Sequence, residues 1–525
     1  MQRIQDQIDA HYWIITNGQS WIKPVTAITL GIVLYKLFSP APDPRKTTTI
    51  DPKLIPELVA YPLPIIGHVP TLSKGRNNFL KECVDRYGPV FQLRIPGQNP
   101  YVVTGDIIPD IMKSSTKIVS FLEGIKTLIP ATHVMELSYD HKYKAAPFNS
   151  RDKNPAIYPI KQNFKSDKIH VFSERIQTGL HIVLKRDLDL KPGESKSVNM
   201  WDFLTNTVSQ MSCPCFAGSV VGYDSELISS MAVLTQKIIR AGIFLAVLPS
   251  WLGDAIVRRV FSVEKEIDIT MRLLVPELTR TREEILNGTS EVTFSSMLLS
   301  LPLHDGSLRS IEETAFWFKS IALSSIHTTS HISSFCLHEL SCRPELVETL
   351  RNEINRLDSL NPETTATIPL LDSFLREVLR CNIDYLGHHS LALQDVQLRN
   401  GQIIPKGSLI MSALLLAHEQ GISGQATQDN HTKTCLPLDQ FDAYRFVDAG
   451  EDTNATDVNL ANLAFGLGAH ACPGRYFAAN EIKYMLSELI MRFNLSTPSG
   501  KRGENSVLLG TSVFPPKTPI VFTAI

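Results

Sequence analysis

Between Leu460 and Phe493 the chain reads LANLAFGLGAHACPGRYFAANEIKYMLSELIMRF, and no other stretch restricts the fold as much. Gly466 and Gly468 lack a Cβ and permit a tight loop that another group can approach closely. Cys472 follows, and Pro473 and Gly474 turn the chain into an amphipathic helix through Glu481, Met485 and Leu489. A cysteine just before a helix N-terminus has its thiolate favoured by the helix dipole and by unpaired N–H groups. Such a sulfur is a nucleophile or a metal ligand, or else a buried free thiol at a loop–helix junction.

A second stretch is out of character with its surroundings. Residues Ile311 to Leu340 read as a buried helix, yet ALSSIHTTS (322–330) puts Ser324, Ser325, His327, Thr328 and Thr329 in its middle. Hydroxyls there compete for backbone hydrogen bonds and bend helices. Either each one bonds back to a carbonyl one turn earlier, or the cluster serves a site.

The 525 residues are 43% hydrophobic with formal charge −2 and no basic face, which excludes a disordered or nucleic-acid-binding protein. The eight cysteines show no disulfide spacing and fit a reducing compartment; Cys213 and Cys215 lack a second half-site for a metal. Residues 1–20 form an N-terminal segment, and Trp21 to Phe38 is an apolar run with Lys23 and Lys36 near its ends. With snorkelled ends this run just reaches the roughly 20 residues of a bilayer span. It reads as a retained single-pass signal-anchor, with an interfacial helix as the alternative. The basic residues Lys36, Arg45, Lys46 and Lys53 put the body on the cytosolic side. Proline-rich residues 39–60 form a hinge, and residues 61–525, without linker or repeat, form one catalytic domain. Residues 87–105 alternate around a Pro-Gly turn as a β-hairpin, and further strands are expected only at about 390–412 and 507–524. The fold class is mainly α with small β-sheets.

The pattern F-G-x-G-x-x-x-C-P-G-R-x-x-A, carried by Phe465, Gly466, Gly468, Cys472, Pro473, Gly474, Arg475 and Ala478, resembles the haem-binding signature of the cytochrome P450 superfamily, the haem-thiolate monooxygenases. The resemblance covers roughly residues 50–525, and the anchor resembles the microsomal branch. It implies the cytochrome P450 fold, haem b as cofactor and Cys472 as its axial thiolate ligand, pushing electron density towards the iron. Phe465 then shields the sulfur, His470 contacts a haem propionate, and Gly466 and Arg475 belong to the haem-binding loop. Upstream, LDSFLREVLR carries Glu377 and Arg380 at i, i+3, and FDAYRF supplies Arg445. At the family's spacing these make a buried carboxylate between two guanidiniums that locks a helix to the segment before the haem loop.

With a haem in place, the polar cluster aligns with the family's oxygen-activating motif. Thr328 takes the place of the threonine that hydrogen-bonds dioxygen and helps to deliver protons. His327 replaces the usual acid, and Ser325 replaces a glycine, while His331 reads as helix packing. Residues 158–172 offer only lysines where tryptophan and arginine often hold a propionate, and near residue 390 only His388 and His389 are basic, so His389 is the expected haem contact. By analogy the substrate walls include Phe318, Ala322, Ser325, Ile383, Leu386 and Val513, which are mostly apolar. HTTS and FAANEIK resemble fungal members acting on terpenoid or steroid-like lipids in secondary metabolism.

These readings converge on a monooxygenase of the endoplasmic reticulum membrane, its catalytic domain cytosolic. Because 525 residues contain no flavin or nicotinamide module, a separate reductase would deliver electrons from NADPH. The alternatives are a haem-thiolate isomerase, dehydratase or peroxygenase that needs no reductase, and a non-catalytic haem carrier or sensor.

Overall fold

The computed structural model describes residues 49–61, 63, 66–75, 77–96, 98–128, 133–134, 137, 155–247, 250–303, 306–426 and 436–525. The expected anchor, Trp21 to Phe38, and most of the hinge lie outside the described residues. Among the described residues no helix is long and apolar enough to cross a membrane.

Helices dominate. The ones that build the interior are α1 (His170–Asp187), α2 (Met200–Ala217), α3 (Ser225–Val247), α4 (Glu264–Asn287), α5 (Ile311–Leu340), α6 (Pro369–Cys381) and α7 (Arg475–Arg492). The longest, α5, begins where Ser310 accepts the Glu313 N–H and where Glu312 and Glu313 favour the positive helix end. It packs against α2, α3, α4 and α7, so most of its surface is covered. That explains why apolar residues surround the helix instead of forming one stripe. Around it a continuous core includes Phe172, Leu204, Met211, Phe316, Phe318, Ile326 and Phe477.

The strands are short and include β1 (Val90–Gln92), β2 (Tyr101–Val103), β3 (Val119–Ser120), β4 (Ser195–Val198), β5 (Gly387–Ala392), β6 (Leu409–Ser412), β7 (Phe493–Ser496), β8 (Ser506–Leu508), β9 (Ser512–Phe514) and β10 (Ile520–Ala524). A five-stranded sheet has the order β1-β2-β6-β5-β3. The β1–β2 pair is antiparallel with Phe91 opposite Val102, whereas β2 runs parallel to β6 with Val102 opposite Met411. The sheet therefore joins residues near 100 to residues near 400 and fixes β5 beside the interior. Strands β8 and β9 form a hairpin, and β4-β10-β7 a separate small sheet.

Candidate functional site

The loop that leads into α7 is held open by its backbone. Gly466 and Gly468 have φ of 77° and 67°, a region that side-chain-bearing residues avoid. The Cys472 N–H donates to the Phe465 carbonyl at 2.7 Å, closing the loop on itself. At its entry the Leu463 N–H donates to Nε2 of the fully buried His418 at 2.6 Å. Arg475 donates to the carbonyls of Cys472 and Thr456, each at 3.0 Å, and stacks on Tyr476. Its guanidinium thus braces the loop.

The Cys472 thiol reaches accessible surface even though protein surrounds it closely. Burial pushes its pKa up, opposed by the Gly474 and Arg475 backbone N–H groups and by the Arg475 charge. His470 Nε2 donates to the Ser114 carbonyl at 3.0 Å and stays exposed. His388, with φ of 49°, lies near enough to His470 to feel its charge, and its ring sits 4.9 Å from that of Phe121. His389 is buried, and its Nε2 has no hydrogen-bond partner.

On α5, Ser324 and Thr328 are exposed in a helix whose flanking residues Ile326, Thr329 and Ser330 are buried. The Ser324 hydroxyl donates to Ser320 O at 2.8 Å, and the Thr328 hydroxyl to Ser324 O at 2.7 Å. Back-bonding and exposure are therefore both true of this stripe: the protons are committed to the backbone, and the oxygens face open space. Ser325 differs, its Oγ lying 3.5 Å from Ser212 Oγ on α2. Ser212 in turn donates to Glu481 Oε1 on α7 at 2.8 Å. One hydroxyl thus links α5 to α7, and Glu481 lies about 9 Å along α7 from Arg475.

His327 packs edge-on against Trp201 at 5.3 Å, and burial lowers its pKa to about 4. His331 donates from Nε2 to the Val513 carbonyl at 3.1 Å and packs against Phe335 and Phe514, in keeping with a packing role.

Glu377 on α6 has no accessible surface. Arg380 reaches both its oxygens at 2.7 Å, Arg445 donates to Oε1 at 3.1 Å, and the Asp442 N–H adds a bond of 2.9 Å. Both guanidiniums also bond carbonyls of 436–440, so α6 is tied to that segment.

An accessible thiol at a helix N-terminus, a stripe of open hydroxyl oxygens and the unpartnered Nε2 of His389 fit a flat, thiolate-held group with acidic arms, as haem b is. The family model described as cytochrome P450 matches residues 58–522. The chain belongs to the cytochrome P450 family. Similar proteins are a cytochrome P450 monooxygenase of Emericella nidulans, 25% identical over 66% of this chain and 65% of its own length, and an ent-kaurene oxidase of Gibberella intermedia, 26% identical over 62% of each. The chain thus matches less than two thirds of the length of either. Cytochrome P450 monooxygenase 151 of Postia placenta is 24% identical over 86% of this chain and 89% of its own.

In this cytochrome P450 the residues expected as substrate walls differ in exposure. Phe318, Ala322 and Leu386 have no accessible surface, and Ile383 and Val513 are buried, so these five pack in the core. Of the six, only Ser325 is half-exposed, and in the middle of α5 Ser324 and Thr328 are exposed, with Ser320, Ile321, Leu323, His327, His331 and Ile332 half-exposed beside them. Sequence reasoning also passed over Ser212, Glu481 and His418, whose partners are far away in the chain, and over Arg376, which is buried and bonds Asn454 O at 2.7 Å.

Proposed function

We propose that the protein is a membrane-anchored haem-thiolate monooxygenase that hydroxylates or epoxidises a lipophilic small molecule of terpenoid or steroid-like class. The observation that carries this reading is the accessible Cys472 thiol at the start of α7 in a chain of the cytochrome P450 family. Haem b, held through Cys472, would supply the one-electron and dioxygen chemistry. The protein's own residues do the rest. Phe465 would cover the sulfur, and His389 and His470 would hold the acidic arms. The Thr328 oxygen, its proton turned to Ser324 O, accepts a hydrogen bond from water or a reacting group and so positions the donor. Glu377, Arg380 and Arg445 hold α6 to the segment before the loop and so keep Cys472 in register.

Electrons would come from NADPH through a reductase on the Cys472 side, with the body on the cytosolic face of the endoplasmic reticulum. The relative named ent-kaurene oxidase supports a terpenoid substrate by its name. Ser325 and His327 favour a second reading, a haem-thiolate enzyme that bypasses the reductase.

Carbon monoxide added to the reduced protein should give the strongly red-shifted Soret band of thiolate ligation, absent in Cys472→Ala. Persistence of the band in that variant would refute Cys472 as ligand. Turnover with reductase and NADPH, tested on a terpenoid and steroid panel, against turnover with peroxide alone, separates the two readings.

A further inference from the structure

His418 belongs to the helix Leu414–Ala426, which follows β6 after a single residue. The start of that helix is fixed from two sides. The Ala413 N–H donates to the Val103 carbonyl of β2 at 3.0 Å, and the Leu414 N–H to the Tyr385 carbonyl at 3.2 Å. Leu416 enters the apolar cluster that Phe91, Val102 and Met411 form on the five-stranded sheet. Beyond His418, Gly421 meets the backbone of Leu460 and Ala461 so closely that a Cβ would stand 2.8 Å from the Ala461 nitrogen. The helix is thus rooted in the sheet and lies directly on the segment that enters the cysteine loop.

The His418 ring has no accessible surface. Because the Leu463 N–H donates to Nε2, that nitrogen holds the lone pair, and a neutral imidazole then carries its proton on Nδ1. Nδ1 has no closed hydrogen bond, and the Arg380 carbonyl in the last turn of α6 is the backbone acceptor that attracts its proton. Burial, joined by the charges of Arg376 and Arg380, brings the ring pKa down to about 3, so the lone pair stays available at neutrality. Leu463 is the base of the first turn of the loop. Its N–H goes to His418, and its carbonyl accepts the Gly466 N–H at 2.9 Å. Phe465, inside that turn, takes the Cys472 N–H. A side chain of the same size without an acceptor would leave the Leu463 N–H buried and unsatisfied.

We propose that His418 is a positioning residue for the haem thiolate: its Nε2 lone pair seats Leu463 and, through the turn at 463–466, holds Cys472 in register with α6 and the five-stranded sheet. The set around Glu377 reaches residues 436–445 and stops short of the loop, whereas His418 makes the connection at the loop itself. Strand β5, which carries His389, pairs with β6, which leads to His418. The group that would meet an acidic arm of the cofactor and the group that seats the sulfur therefore share one support. His418 acts through Leu463 and not on the sulfur directly.

This inference rests on the haem-thiolate reading, and its test separates the two. His418→Gln and His418→Met place side chains of similar volume in the haem-loaded full chain, and only glutamine offers a strong acceptor to the Leu463 N–H. The glutamine variant should keep the red-shifted Soret band of the carbon monoxide complex, as the native protein does, whereas the methionine variant should lose it from a large share of the haem. Deuterium exchange of the peptide that contains Leu463 should be at least about tenfold faster in the methionine variant and near native in the glutamine one, while peptides of α6 exchange alike in all three. A methionine variant with native band and native exchange, or a glutamine variant as defective as the methionine one, overturns the positioning role. Should the methionine variant not fold, exchange in the native protein decides: the Leu463 amide must be protected to the level of the α6 amides, and exchange at the rate of an open loop overturns the proposal. Absence of the red-shifted band from the native protein would instead overturn the haem-thiolate reading, whatever the exchange result.

Discussion

At the scale of single residues, His327 and Thr328 are neighbours in sequence with opposite surroundings. Thr328 is exposed, whereas the His327 ring lies against Trp201 with a buried Nδ1 that has no partner. Because burial brings the His327 pKa to about 4, the ring carries no charge that could change between pH 6 and 8. His327→Asn should therefore leave the pH profile of coupling over that range unaltered. A titration near pH 6.5 that vanishes in the variant would restore His327 as the acid. Thr328→Ala should raise peroxide release per NADPH roughly tenfold, equivalent to about 1.4 kcal/mol, while the Soret band of the carbon monoxide complex stays in place. Unchanged coupling would remove Thr328 from proton handling.

At the scale of elements, the Glu377 and Arg380 side chains couple α6 to residues 436–445. Removing the carboxylate leaves two buried guanidiniums facing each other, so Glu377→Ala should cost about 3–5 kcal/mol. Thermal unfolding of the haem-loaded protein would measure it, and a loss below about 1 kcal/mol would reduce the set to a surface-type ion pair. The pattern was legible because Glu377 and Arg380 are one turn apart, and so was α5, whose Ser310 cap and apolar run mark its ends locally. Strands β4 and β7 were not. SKSV is largely exposed and carries no apolar alternation, and FNLS begins at the residue directly after α7, where helical periodicity masks it. Both exist because β10 pairs with them from the C-terminal end of the chain. The site divides in the same way: Cys472 and Thr328 sit in local patterns, whereas Ser212 meets Glu481 across 269 positions, a contact that no spacing encodes.

For the molecule as a whole, the buried ionisable groups determine how stability follows pH. Burial lowers the pKa of His327, His331, His388 and His389 to about 4, and their stabilising contribution, complete above pH 6.5, is lost as pH falls towards 4. Glu481 works in the other direction. Its pKa is raised from 4.5 to about 8, so the native state binds a proton that the unfolded chain has already released. The contribution is complete below pH 4.5 and is lost as pH rises through 8. Lys319, lowered to about 7, adds stability above that pH and would obscure the trend in the native protein taken alone. The difference between Glu481→Gln and the native protein cancels every group that the two share. Glutamine keeps an acceptor for the Ser212 hydroxyl and cannot ionise. Relative to the native protein, the variant should therefore gain stability between pH 5 and pH 9, on the order of a few kcal/mol. Parallel thermal melts at the two pH values would read it as a widening gap in Tm. A gap that does not change with pH would mean that the Glu481 carboxyl is already ionised at neutrality.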